Sequence, residues 1–201
     1  MVSLMKLVFA TNNPNKLKEM KLLLPQSIEL LSLKDIGCDD QINETGKTIR
    51  ENAYVKSRYI YEKFGMNCFA DDTGLEVQAI GGRPGVYSAR FSGPACRSED
   101  NIQKVLAELK GADNRKANFR TVISMIIDGH ETIFEGIVDG VITEIPEGEN
   151  GFGYDPVFLP DGFNQTFAEM TDQEKNSISH RGIAVRKLVS YIDELSELAS
   201  N

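Results

Sequence analysis

Residues 69–93 read FADDTGLEVQAIGGRPGVYSARFSG, and the first half of this stretch decides the fold. An apolar run (Met66, Cys68, Phe69, Ala70) meets two adjacent carboxylates, Asp71 and Asp72. A hydroxyl and a glycine follow, Thr73 and Gly74, and then the alternating Leu75, Val77 and Ala79. This order predicts a buried strand whose carboxyl end delivers acid groups to the place where open α/β sheets bind ligands, with a turn at Gly74. Neighbouring residues on a strand point to opposite faces, so Asp71 and Asp72 have different jobs. One faces a metal or a water and the other braces the turn. A polar strand end with a glycine turn and no chemistry would look the same, so the surrounding chain has to decide.

Upstream, Met5 to Ala10 reads as a short apolar strand running into Thr11-Asn12-Asn13-Pro14-Asn15-Lys16. A helix follows, with Asn13 as N-cap, Pro14 at its first position and Leu17, Met20 and Leu24 on one face. A strand, a polar turn and a helix N-terminus make an anion site, because free backbone N–H groups and the helix dipole point the same way. Lys16 in that first turn opposes the dipole but suits a phosphate. Ile28 to Leu33 predicts a second strand, and Asp39, Asp40 and Glu44 mark an acidic loop. Thr48 with Glu51 forms a capping box for a helix from about Ile49 to Phe64. Gly46-Lys47-Thr48 is not the end of a P-loop, since Gln41 stands where the leading glycine is required. On that helix Ala53, Lys56 and Ile60 share the inward face, so Lys56 either snorkels to solvent or reaches a buried anion.

Downstream, Ser98 to Leu109 has the pattern of an amphipathic helix, with Ile102, Val105, Leu106 and Leu109 inward. Ala117–Ile127 and Glu131–Val138 predict a strand pair joined at Asp128-Gly129-His130, with His130 exposed, and Val141–Ile145 a further strand. A glycine-rich segment then ends in an exposed Phe152-Gly153-Tyr154-Asp155, after which Pro156 to Leu159 returns to strand. Thr166 to Ser179 is polar and carries Lys175 and Asn176. Ser179 caps a last helix striped by Val185, Leu188, Val189, Ile192 and Leu195.

With 201 residues, 41% of them apolar, the chain can bury a sizeable core, and it reads as one domain over residues 1–201. No apolar run approaches a membrane span, and the opening MVSLMKLVF lacks a signal peptide's long apolar region. Cys38, Cys68 and Cys96 are too widely spaced for a disulfide framework or a zinc pattern and suit a reducing cytoplasm. Two histidines, His130 and His180, are too few for a His-based metal centre, so a metal here is a hard cation on carboxylates. A net charge of −8 argues against a nucleic-acid track. It leaves room for a small anion in a locally positive pocket.

Six blocks in this order resemble the inosine triphosphate pyrophosphatase family: Thr11 to Lys16; Glu44-Thr45-Gly46 with Glu51-Asn52-Ala53 and Lys56; Ala70 to Leu75; Gly81 to Arg90; Phe152 to Pro156; and Ser179 to Gly182. The resemblance spans nearly the whole chain. It implies an α/β fold with a long mixed central sheet, flanking helices and two lobes around a substrate cleft. It also implies Mg²⁺-dependent hydrolysis of ITP, dITP, XTP or dXTP to the nucleoside monophosphate and pyrophosphate, by a cytoplasmic homodimer. In that pattern Thr11, Asn12, Asn13, Pro14, Asn15 and Lys16 bind the triphosphate, with Lys56 among the substrate contacts. Glu44 and Asp72 hold the metal, Asp72 is the general base, and Thr73 touches substrate. Phe152, Gly153, Tyr154, Asp155, Lys175, His180 and Arg181 form the base and sugar pocket. Thr73 stands where many relatives carry serine, which keeps the hydroxyl.

Carboxylates suit Mg²⁺, and one of them can take the proton of an attacking water. A 6-keto purine offers an acceptor where adenine offers a donor, so an Arg or His donor aimed there separates the two. Two other readings stay open at this point. One is a pyrophosphatase of pyrimidine or modified nucleotides. The other is a nucleotide sensor that does not hydrolyse, against which Asp72 and Glu44 count.

Overall fold

The computed structural model describes residues 5–95 and 97–198. Cys96 and residues 1–4 of the N-terminal stretch therefore lie outside the described residues. The strands are β1 (Met5–Phe9), β2 (Ile28–Ser32), β3 (Cys68–Val77), β4 (Arg83–Pro84), β5 (Lys116–Ile127), β6 (His130–Ile142) and β7 (Phe158–Pro160). The helices are α1 (Pro14–Leu23), α2 (Ile49–Phe64), α3 (Ser98–Glu108), α4 (Asp172–Ile178) and α5 (His180–Leu198). Among the described residues these strands form one seven-stranded mixed sheet in the order β2-β1-β3-β5-β6-β7, with β4 paired to β3. The α/β class with a long mixed sheet and flanking helices is therefore as predicted.

Contacts divide the chain into two compact units, one of Met1–Asp72, Val122–Glu135 and Gly182–Asn201, the other of Thr73–Thr121 and Gly136–Arg181. In the first, β1 runs parallel to β2 (Met5↔Ile28 to Phe9↔Ser32) and to β3 (Val8↔Cys68, Phe9↔Phe69). Strands buried on both faces read as continuous apolar runs, and Leu7-Val8-Phe9 of β1 does. Leu7 and Phe9 pack with Met20, Phe69, Val185, Leu188 and Ile192 in one core, while Val8 and Ala10 pack with Cys68, Ala70 and Ile60 in another. Val185, Leu188, Val189 and Ile192 of the predicted stripe of α5 thus pack in a single core.

The second unit is built on one core, in which Leu75, Val77, Ile102, Val105, Leu109, Phe119, Phe158 and Phe167 meet. The predicted inward face of α3 lies in it. Ile137 of β6 is exposed.

Several local signals produce the elements they predict. The Asn13 side chain accepts hydrogen bonds from the backbone N–H of Asn15 and Lys16, with Pro14 at the first helical position. The Asp128-Gly129 link between β5 and β6 has φ of 48° and 84°, the positive pair that a two-residue hairpin requires. Helix α2 matches its predicted bounds, and Thr48 accepts from the Glu51 N–H. The reciprocal half of that capping box is displaced, because the Glu51 carboxylate accepts from Lys47 N–H at 2.6 Å.

Other expectations are corrected. Strand β3 runs unbroken through Thr73 and Gly74, so neither acid braces a turn there. Thr73 is held by the Thr121 hydroxyl of β5 (2.7 Å), and the Leu75 N–H donates to Ser88 Oγ (2.8 Å). Val141–Ile145 is no separate strand either, because β6 continues to Ile142 and ends there. Gly140, which lies between the two predicted segments, pairs with Pro160 of β7, and a Cβ there would lie 2.3 Å from the Leu159 carbonyl oxygen. That glycine marks close backbone approach. The polar stretch before Ser179 holds α4, opened by a Thr171/Glu174 capping box. Ser179 is the single residue between α4 and α5, and its N–H donates to the Lys175 carbonyl (2.8 Å).

Candidate active site

In the first unit, three elements converge on the carboxylates of β3. Asp71 and Asp72 project to opposite faces and meet different partners, as their adjacency predicts. The Asp71 side chain is fully buried, and its Oδ1 accepts from Lys16 Nζ at 3.0 Å, with the Asp71 carbonyl 3.4 Å from the same ammonium. Lys16 is thus brought from the first turn of α1 onto Asp71. Its neighbours Asn12, Pro14 and Asn15 are exposed, and Thr11 Oγ1 accepts from the Asn13 N–H at 3.1 Å, which folds the turn back on itself.

Asp72 is buried, and its Oδ2 accepts from Asn52 Nδ2 at 3.1 Å. Its Oδ1 lies 3.8 Å from Lys56 Nζ, which also donates to Glu44 Oε1 at 2.5 Å. Of the two fates open to Lys56, the structure shows the buried anion. Burial opposes the charge on Lys56, but Asp72, Glu44 and Asp71 outweigh it and raise its pKa, so it stays protonated. Burial also pushes the Asp72 carboxyl above the usual carboxylate range, against the pull of Lys56 and Lys16. A carboxylate held in that way is a better proton acceptor than one in water.

Among the described residues no three acidic, histidine or cysteine side chains form a ready-made metal cage. Glu44 and Asp72 supply hard oxygens on either side of one ammonium. That donor set fits Mg²⁺, which usually takes one or two protein carboxylates and fills its remaining positions with water and phosphate oxygens. Cys68 is no competing nucleophile, because burial pushes its thiol up to about 12.

The second unit gathers the other predicted residues. Asp155 Oδ2 accepts from Lys175 Nζ at 2.6 Å and from the Phe152 N–H at 2.8 Å. Lys175 Nζ lies 5.0 Å from the centre of the Phe152 ring, and the Arg181 guanidinium 5.7 Å from it. Arg181 is buried and donates from Nη2 to Thr73 Oγ1 at 3.0 Å. His180 stacks on Phe119, with ring centroids 4.5 Å apart and planes inclined 16°. The segment predicted to be exposed is largely not: Phe152 and Gly153 are half-buried, while Tyr154 and Asp155 are buried. Tyr154 donates to the Ser88 carbonyl at 2.8 Å, which ties the Gly81–Arg90 segment to this cluster. Gly151 has φ of 74°, and a Cβ on it would sit 2.1 Å from Asp155 Oδ2.

Sequence reasoning assigned no role to two groups that the structure puts beside candidate residues. Thr121, whose hydroxyl meets Thr73, carries no distinguishing local signal. Asn52 does carry one. It lies four residues before Lys56 on the inward face of α2, although asparagine is a poor helix former.

The similarity to known proteins extends over the same residues. A sequence profile described as the Ham1 family matches residues 7–191. The chain is 55% identical over 190 residues to a dITP/XTP pyrophosphatase of Christiangramia forsetii, covering 94% of this chain and 100% of that one. It is 44% identical to a dITP/XTP pyrophosphatase of Bacillus subtilis, covering 96% and 100%. Its fold superposes on the Staphylococcus aureus Ham1 protein with a TM-score of 0.86 at 37% identity, covering 94% and 98%. The resemblance first carried by six short blocks therefore holds along the chain as a whole, and this protein belongs to the Ham1 family.

Proposed function

We propose that this protein is a nucleoside triphosphate pyrophosphatase that hydrolyses ITP, dITP, XTP and dXTP to the nucleoside monophosphate and pyrophosphate. The observation that carries the reading is the Asp72 carboxyl. It is buried, its Oδ2 is held by Asn52, and its Oδ1 lies beside a lysine shared with Glu44. The relatives named dITP/XTP pyrophosphatase support it.

In this reading Asp72 Oδ1 takes a proton from a water whose oxygen bonds to phosphorus, while the α–β bridging oxygen departs with the other phosphoryl group. Lys56 and Lys16 offset phosphate charge, and the Thr11–Lys16 turn with its helix N-terminus receives the chain's phosphates. Glu44 and Asp72 would hold Mg²⁺, which when bound supplies charge neutralisation and orients the water. Phe152 offers a π face to the purine, and Asp155, Lys175, His180 and Arg181 surround the base and sugar. A donor from Arg181 is satisfied by a 6-keto oxygen and opposed by a 6-amino group. We further read residues 1–201 as one pyrophosphatase domain acting on free nucleotides in the cytoplasm as a homodimer.

Product analysis tests this. With ITP and Mg²⁺ the phosphorus spectrum should show IMP and pyrophosphate in equal amounts, and EDTA should abolish turnover. Formation of IDP and orthophosphate would overturn the bond assignment, and full activity in EDTA would overturn the metal assignment.

A further inference from the structure

Asn52 is fully buried on α2, with both ends of its side-chain amide in use. Its Oδ1 accepts from the Gly46 N–H at 2.8 Å, and its Nδ2 donates to Asp72 Oδ2 at 3.1 Å. A backbone N–H can only donate, so the oxygen of Asn52 must face Gly46 and the NH₂ must face Asp72. The approach is close: a Cβ on Gly46 would lie 2.7 Å from Asn52 Oδ1 and 2.7 Å from Glu51 Cβ. Gly46 stands two residues after Glu44, and Glu44 reaches Lys56, one helical turn beyond Asn52. One side chain therefore joins the loop carrying Glu44, the helix carrying Lys56 and the strand carrying Asp72.

We infer that Asn52 is a positioning residue: it holds Asp72 Oδ2 on its amide, leaves Oδ1 as the oxygen that faces the reacting water, and ties the Glu44 loop to the same carboxylate. The inference rests on the reading of Asp72 as the base. Because Oδ2 faces a donor, the proton taken from water goes to Oδ1. Loss of the amide frees the carboxylate to rotate and unlinks the loop from it, so turnover suffers while nucleotide affinity is kept.

The test compares wild type, Asn52→Ala, Asn52→Asp and Asp72→Asn, each assayed well below its melting temperature. Asn52→Asp keeps the acceptor for Gly46, removes the donor to Asp72 and sets a second carboxylate against it. Turnover of ITP should fall on the order of 10–100-fold in both Asn52 variants, the usual cost of losing a group that orients a functional one. KM, and the Kd for ITP measured calorimetrically in EDTA, should stay within about threefold of wild type, since phosphate contacts carry affinity. Wild-type turnover in either Asn52 variant, with Asp72→Asn inactive, would overturn this inference alone. So would a rise in KM and Kd with turnover intact, or failure of both variants to fold, since either makes Asn52 a structural tie only. Wild-type activity in Asp72→Asn would overturn the reading of Asp72 and this inference together.

Discussion

The cluster around Asp72 and the cluster around Phe152 solve the problem of burying polar groups in different ways. The first is assembled from distant parts of regular elements: Lys16 on α1, Asn52 and Lys56 on α2, Asp71 and Asp72 in the middle of β3. Its buried charges are matched by opposite charges from other elements, and no glycine conformation is needed at the acids. The second is built around a loop. Gly151 and Gly153 adopt positive φ of 74° and 65°, the Phe152 N–H folds back onto Asp155, and the buried Lys175–Asp155 pair fastens the turn to α4. The first cluster is a charge device on rigid elements, suited to handling a proton and phosphates. The second is a shaped loop with an aromatic face, suited to recognising a base. Removing the proton acceptor of the first should therefore act on turnover and removing its phosphate-facing lysine on KM, whereas substitutions in the second should act on stability and selectivity.

The comparison breaks most sharply at Asp72. Asp72→Asn keeps the shape and removes the proton acceptor, so kcat for ITP should fall by ~10²–10⁴-fold with KM changed little. A kinetic comparison of purified variant and wild type checks this, and near wild-type kcat would move the base elsewhere. In the second cluster the largest effect should be on folding. Lys175→Met removes the ammonium facing a buried carboxylate, and breaking such a pair costs about 3–5 kcal/mol. Denaturant unfolding should show that loss, and an unchanged midpoint would mean that the pair does not fasten the loop.

Arg181→Ala sharpens the selectivity half of the comparison. It should lower kcat/KM for ITP and XTP by ~10–10²-fold while changing ATP far less, because it removes a donor that favours the 6-keto group and opposes the 6-amino group. Equal falls for all three substrates, with a lower melting temperature, would mean that Arg181 serves only Thr73 and the packing around Phe152. The smallest effect is expected at Lys16. Lys16→Ala should raise KM for ITP about tenfold at low salt, the scale of one hydrogen bond to a charged group, and less at high salt. Because Lys16 also faces the buried Asp71 carboxylate, its melting temperature should fall too. An unchanged KM would place the phosphates elsewhere.

What could be read from the sequence follows range of interaction. The Asn13 cap, the bounds of α2, the Asp128-Gly129 hairpin and the stripe of α5 depend on neighbours a few residues away, and their signals are local. Gly74 and Gly140 stand where the sequence predicts a turn and the gap between two strands, and a glycine weakens a strand locally. Their strands continue because other strands hold them: Thr121 meets Thr73 across β5, and β7 lies against Gly140. In the candidate site, the carboxylates of Asp71 and Asp72 and the inward face carrying Lys56 were legible from residue type and order, whereas Phe152 to Asp155 reads as exposed and is largely buried. The Lys16–Asp71 pair spans 55 residues, and the Asn52–Asp72 bond 20 residues, so neither is encoded in any window of sequence.

The central claim is that the chain removes pyrophosphate from inosine and xanthosine triphosphates. Its most direct test is kcat/KM for ITP, XTP and ATP on one preparation of the wild-type protein with Mg²⁺, following pyrophosphate. ITP and XTP should be hydrolysed with kcat/KM at least ~10²-fold above ATP, each turnover releasing one pyrophosphate. Equal values for all three substrates, or no pyrophosphate from ITP and XTP, would contradict the account.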